Sequence, residues 1–201
     1  ECAAASRYMG KLTRAQRYID NAMALSDGMP ATVRSNTLYQ CAAILTDSGD
    51  LGGAERTLRR ALELADNETD QCRQVTMLGY ILSQQGKLDE ARQTLLDAIP
   101  VAKRSGSKLR IADLHTGLGE VARRSGQLEE AENRYRTALR VVQGTGLEDP
   151  TYRLNLGLTL LARGRMDEAY ELLDAVLEQS VTFGLKLLEL TCHAALAQCA
   201  A

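Results

Sequence analysis

Two histidines, His115 and His193, and five cysteines, Cys2, Cys41, Cys72, Cys192 and Cys199, are the side chains of this 201-residue chain best suited to nucleophilic, acid–base or metal chemistry. Their spacing suits none of it. The histidines stand far apart, so they cannot supply the two ligands one helical turn apart that an H-E-x-x-H zinc helix requires. No two cysteines form a C-x-x-C pair. Cys192 and His193 are adjacent, which points them in different directions around a helix. No G-x-x-x-x-G-K-[ST] phosphate loop and no G-x-S-x-G elbow is present. Ser105-Gly106-Ser107 carries neither the strand nor the lysine–threonine pair of a phosphate cradle. The expectation is no enzyme, no cofactor and no metal. The cysteines read as small core residues in a reducing compartment, and the histidines as packing or surface residues.

The carboxylate pairs Asp89-Glu90, Glu129-Glu130 and Asp167-Glu168 do recur, always just after a glycine. They belong to a repeat. A glycine is followed five residues on by an alanine at Gly10/Ala15, Gly49/Ala54, Gly86/Ala91, Gly126/Ala131 and Gly164/Ala169. Successive glycines lie 39, 37, 40 and 38 residues apart, a period that signals stacked supersecondary units. Two residues after each glycine stands Leu12, Leu51, Leu88, Leu128 or Met166. Four residues after each alanine stands Ile19, Leu58, Leu95, Tyr135 or Leu173, and three further on Ala22, Ala61, Ala98, Ala138 or Val176. Leu78-Gly79, Leu118-Gly119 and Leu156-Gly157 precede the turn glycine at one fixed distance.

This pattern resembles the tetratricopeptide repeat, a pair of antiparallel helices with the order W-x2-L-G-x2-Y, A-x3-F, A, P. The chain departs from it in several places. The early aromatic is missing, His115 taking its place in the fourth unit, and Cys2-Ala3 and Cys41-Ala42 stand where Leu-Gly is usual. The closing proline is absent, and the long period adds about one helical turn per unit. The resemblance implies an all-α, right-handed superhelical solenoid of about five helix pairs plus a trailing helix. It is read as a single domain over 1–201, with units at about 1–29, 30–68, 69–107, 108–148 and 149–184 and a partial sixth at 185–201.

Helix chemistry supports the reading. A glycine ends each first helix, a small alanine lets the second approach closely, and acids in its first turn favour the helix dipole. Helices are expected over 1–9, 11–27, 31–48, 50–66, 70–85, 87–104, 108–125, 127–143, 150–163, 165–183 and 186–200. Gly52-Gly53 should make the second helix of the second unit start loosely. Pro100 should kink its helix or end it early. The chain opens on Glu1 and stops where a sixth glycine would fall, leaving Ala194, Ala195, Leu196 and Cys199 as an apolar face with no unit behind it. A segment of a larger protein is therefore expected.

Composition sets further limits. Hydrophobic residues make up 45 % and aromatics only 4 %, so the core must be aliphatic. A net charge of −2, with arginines and acids interspersed, argues against nucleic acid. No apolar run approaches the ~20 residues of a membrane span. A cytoplasmic protein follows.

What remains is a concave groove, which in the resembled family is lined by the first helices. Carrying its positions over gives Arg7, Tyr8, Asn36, Tyr39, Thr46 and Asp47 in the first two units, then Arg73, Thr76, Tyr80, Ser83 and Gln84. The fourth unit gives Asp113, Thr116, Glu120, Arg123 and Arg124, and the fifth Leu154, Leu158, Leu161 and Ala162. A charged wall beside an apolar floor suits an amphipathic peptide or helix. Each part has an alternative. Tyr39 and Tyr80 could pack between helices, Arg123 and Arg124 could be a solvated turn, and the leucines could be covered by the last helix or by a continuation of the chain. The family's carboxylate clamp is not matched, since Ala43, Tyr80 and Glu120 fill several of its positions. The expected role is a protein-interaction scaffold in a larger, bacterial regulatory protein, with a protein or peptide as partner. Alternatives are a peptide sensor, or an arm making intramolecular contact with an attached kinase or protease.

Overall fold

A computed structural model describes residues 17–147 and 149–199. The expected helix over 1–9, the first glycine–alanine pair, Leu12, and Cys2, Arg7 and Tyr8 lie outside the described residues. The rest is all-helical, with ten helices and no strand among the described residues. They are α1 (17–26), α2 (Ala31–Asp47), α3 (Leu51–Glu63), α4 (Glu68–Gln84), α5 (Leu88–Arg104), α6 (Lys108–Arg124), α7 (Leu128–Val142), α8 (Pro150–Ala162), α9 (Met166–Thr182) and α10 (Lys186–Cys199). The chain divides into two compact units, Glu1–Thr94 and Leu95–Ala201. In the first, α2 packs on α3 and α3 on α4; in the second, each helix from α6 to α10 packs on the next. Contact with sequence neighbours is how a helical repeat builds its core.

The periodic residues do what their spacing implies. Gly49, Gly86, Gly126 and Gly164 have φ of 85°, 79°, 74° and 74°, the left-handed region that ends a helix. The next residue then donates its N–H to the carbonyl five back: Asp50 to Leu45, Lys87 to Leu82, Gln127 to Ala122 and Arg165 to Leu160, at 2.9–3.0 Å. Ala54, Ala91, Ala131 and Ala169 are fully buried, as are Leu58, Leu95, Tyr135 and Leu173 four residues on. The glycine of Leu-Gly serves close approach. A Cβ on Gly119 would lie 2.7 Å from the Tyr135 ring, and one on Gly157 2.9 Å from Leu173.

Three local expectations need correction. The second helix of the second unit does not start loosely: Asp50 caps α3 by accepting the Gly53 N–H at 2.8 Å, and a Cβ on Gly53 would strike that carboxylate. Glycine there admits the cap. Of the two outcomes expected at Pro100, a kink or an early end, the early end does not occur, for α5 runs past Pro100 to Arg104. Pro100 is exposed in the last turns, so water can serve the carbonyl its ring leaves unpaired. Finally, the apolar side of α10 is not without a partner. Cys192 and Ala195 are buried against α8 and α9, with Leu196 and Cys199 packed beside them. Only Ala194 of the expected set is exposed.

Cys41, Cys72 and Cys192 are buried free thiols, and Cys199 is a half-buried one. Burial raises the Cys41 and Cys192 thiols above their ordinary value, with Asp20 adding to the effect at Cys41. No helix among the described residues is long and apolar enough to cross a membrane.

Candidate functional site

On the first helices of the first unit, Arg73 is the organising side chain. Its guanidinium donates to Asn36 Oδ1 on α2 at 2.5 Å, pairs with Asp70 at 2.9 Å, and lies 4.4 Å over the Tyr39 ring. Arg73 and Tyr39 therefore engage each other as a cation–π pair. Beneath them, the fully buried Gln74 donates to Ser35 Oγ at 2.7 Å, which donates to the Ala61 carbonyl at 2.9 Å. This relay joins α2, α3 and α4. Tyr80 differs, with 47 % of its surface exposed. Asp47, near the end of α2, is exposed, and Gln84, at the same place in α4, is half-buried.

In the second unit, Asp113 of α6 accepts the Tyr152 hydroxyl of α8 at 2.7 Å and the Arg110 guanidinium at 2.8 Å. Burial raises the Asp113 carboxyl above its ordinary value against the pull of both partners. Glu120 accepts Arg123 and Arg124, each at 2.8 Å. Burial acts to raise its pKa, but those hydrogen bonds outweigh it and hold the carboxyl low. The charged wall is thus largely self-paired, with the arginines outermost. Nearby His115 is half-buried, and its Nδ1 finds no hydrogen-bond partner among the described residues. Burial lowers its pKa, assisted by Arg134, Lys103 and Arg140. His193 is exposed.

The apolar floor proves to be mostly core. Leu154 is 7 % exposed inside the cluster that α10 closes, and Leu158 and Leu161 pack against the same cluster while keeping part of their surface. The cause is the α10 packing described above: that helix approaches α8 as well as α9.

The second helices carry a feature that the sequence reading passed over. In the first unit, Glu55 of α3 binds Arg59 at 2.9 Å and Lys87 at 2.8 Å, and Arg59 reaches Glu90 of α5 at 2.6 Å. In the second, Glu132 of α7 binds Arg136 and Arg165, both at 2.7 Å, and Arg136 reaches Glu168 of α9 at 3.2 Å. The four positions are the same in each case: one and five residues after the repeat alanine, then one and four after the next glycine. Arg163 adds a further contact to Glu132, and Arg165 also binds Glu168. The period that located the glycines also locates these ion pairs.

Beside the second set, α7, α8 and α9 line an open cavity of about 540 Å³. Leu139, Leu156 and Leu172 form its apolar lining, and Arg136, Arg140 and Arg153 bring guanidinium groups to it. No residue of the expected groove takes part. Along the chain the arginines of the second helices alternate with acids, so the sequence alone gives this cavity no signal.

The family described as the MalT-like TPR region matches residues 3–198. Solved structures resemble the chain at low identity. BtubC (BKLC) of P. vanneervenii matches with a TM-score of 0.72 and 17 % identity, over 95 % of this chain and 84 % of that one. The Rap conjugation gene regulator of plasmid pLS20, in complex with the Phr* peptide, matches with a TM-score of 0.77 and 17 % identity, over 94 % and 54 %. A Rap protein complexed with competence and sporulation factor matches with a TM-score of 0.76 and 14 % identity, over 96 % and 60 %. No curated protein matches the sequence.

Proposed function

The chain belongs to the MalT-like TPR region family, and from that premise we propose that it is a protein-interaction segment of a larger cytoplasmic regulatory protein, holding a peptide or partner helix along its first helices. The observation that carries this reading is Tyr80, an aromatic left 47 % exposed on α4 while the tyrosines on two other first helices, Tyr39 and Tyr152, are engaged. Tyr80, Glu120 and Leu158 each stand six residues before a turn glycine. That register offers an aromatic ring in the first compact unit, and an arginine-flanked carboxylate and a half-buried leucine in the second. An amphipathic helix or extended peptide can use such groups, with rings and guanidinium groups as its strongest anchors. A Rap regulator of the same fold is solved in complex with a peptide, which favours a peptide as the first partner to try.

The test is selection of peptides against the chain from a displayed library. Binding should fall at least tenfold on Tyr80→Ala, Glu120→Ala or Arg124→Ala and stay unchanged on Arg56→Gln, an exposed arginine of α3. Selected peptides indifferent to all three substitutions would remove the reading. A second reading, an arm that restrains an attached domain, draws on Phe183, Leu187 and Leu190, each at least 66 % exposed around α10. It predicts that Leu187→Asp releases that domain's activity in the longer protein, with peptide binding unaffected.

A further inference from the structure

The cavity among α7, α8 and α9 has a chemistry distinct from the first-helix face. Its volume, about 540 Å³, lies within the range of small-ligand clefts. Its guanidinium groups are not equivalent. Arg136 is satisfied by Glu132 and Glu168. Arg153 donates only a long 3.4 Å bond to the Gln179 side-chain oxygen, and Arg140 pairs with no carboxylate among the described residues. This matters because the other arginines of α7, Arg134 and Arg136, both hold carboxylates. Two cations without acids therefore face a space lined by Leu139, Leu156 and Leu172. Glu171, also on the lining, is a carboxylate with no ion-pair partner among the described residues.

We infer that this cavity binds an aliphatic amino acid or short peptide through its α-carboxylate. Arg140 and Arg153 take the carboxylate, for which guanidinium groups have matched planar geometry. The three leucines take the aliphatic side chain, and Glu171 takes the ammonium. The zwitterion thereby meets each unpaired charge of the cavity with its opposite. A simple dicarboxylate would leave Glu171 facing a like charge, and a neutral sugar would leave all three charges unmet. The site is independent of the proposed groove on the first helices, so the failure of either leaves the other standing.

Isothermal titration of the whole chain with L-leucine, with Leu-Leu-Leu and with the C-terminal amide of Leu-Leu-Leu tests the inference. Saturable binding by the acid forms is expected, with the amide at least tenfold weaker. Arg140→Gln and Arg153→Gln should each weaken the acids at least tenfold, while Glu171→Gln should weaken them severalfold. Arg56→Gln should change nothing. Arg140 is exposed and pairs with no carboxylate among the described residues, so loss on its replacement reports the ligand and not misfolding; circular dichroism verifies this. Leucine binding as tightly as the tripeptide assigns a free amino acid, and tripeptide binding alone assigns a peptide terminus. No binding at millimolar ligand, equal binding of acid and amide, or indifference to Arg140→Gln would each overturn the inference.

Discussion

The ion-pair sets around Glu55 and Glu132 occupy the same four positions of the repeat, yet they are built to different strengths. Glu55 keeps 15 % of its side-chain surface, and its partners Arg59 and Lys87 are nearly half exposed. Glu132 keeps 6 % and is met by three guanidinium groups. Where water still reaches both charges, a pair contributes little, because hydration competes with it. A carboxylate withdrawn from water depends on its partners, so removing a partner costs more. The repeat thus fixes where a cross-helix ion pair can form, and local burial sets how much it contributes. The more buried set is also the one beside the cavity.

The largest effect expected from this contrast is on folding stability. Glu132→Gln should destabilise the chain by about 2 kcal/mol, below the ~3–5 kcal/mol of a fully buried broken pair, since its arginines can turn to solvent. Glu55→Gln should cost about 0.5–1 kcal/mol. Urea midpoints at unchanged slope measure both. Equal losses would show that burial does not separate the two sets.

Acid should expose the same difference in stages. The hydrogen bond from Lys87 holds the Glu55 carboxyl down to about 2, below its ordinary 4.5. Its folded-state value is the lower one, so its contribution is complete above about 4.5 and fades as pH falls toward about 2. Glu132 is also held low, its guanidinium partners outweighing burial, and it loses stability in the same direction. Asp113 opposes them: its carboxyl is raised, so the folded state accepts that proton first and gains as pH falls. His115 acts earlier, because its lowered pKa lets the unfolded chain bind a proton first below 6.5. Stability should therefore decline gently below pH 6.5 and more steeply below 4.5. His115→Gln should flatten only the first portion and Glu55→Gln part of the second. A first portion unchanged by His115→Gln would reassign it.

Much of the architecture was legible because one spacing carries it. The turn glycines, the buried alanines and the residue four beyond each alanine all follow from the period, and most helix limits fall within a few residues of expectation. The misses arise where a short-range pattern is overruled by its neighbours. Gly52-Gly53 reads as a weak helix start unless Asp50 is recognised as the cap that needs the space. Pro100 reads as a break unless its exposure is known. The groove was less legible, since register indicates which way a residue faces but not what already covers it. Leu154 faces the expected side and lies beneath α10. Tyr152 was passed over, although it lies about one period after Asp113, the residue it binds. Arg140 and Arg153 gave no sequence signal, because being unpaired is a property of what surrounds a charge.

The smallest predicted effect concerns cation shape. Lys87 and Arg165 both follow a turn glycine and both bind the glutamate of the preceding second helix. Arg165 holds Glu132 and Glu168 together through its two terminal nitrogens, while the Lys87 ammonium pairs with Glu55 alone among the described residues. Lysine is a point charge and cannot span two carboxylates with a rigid fork. Arg165→Lys should therefore lower the urea midpoint slightly, and Lys87→Arg should raise it by less, by reaching toward Glu90. The reciprocal pair is informative through its asymmetry, read from urea midpoints together with a double-mutant cycle on Arg165 and Glu168. If both exchanges are neutral, the fork contributes nothing, and the contrast between the two sets reduces to the burial of Glu132 and the added contact from Arg163.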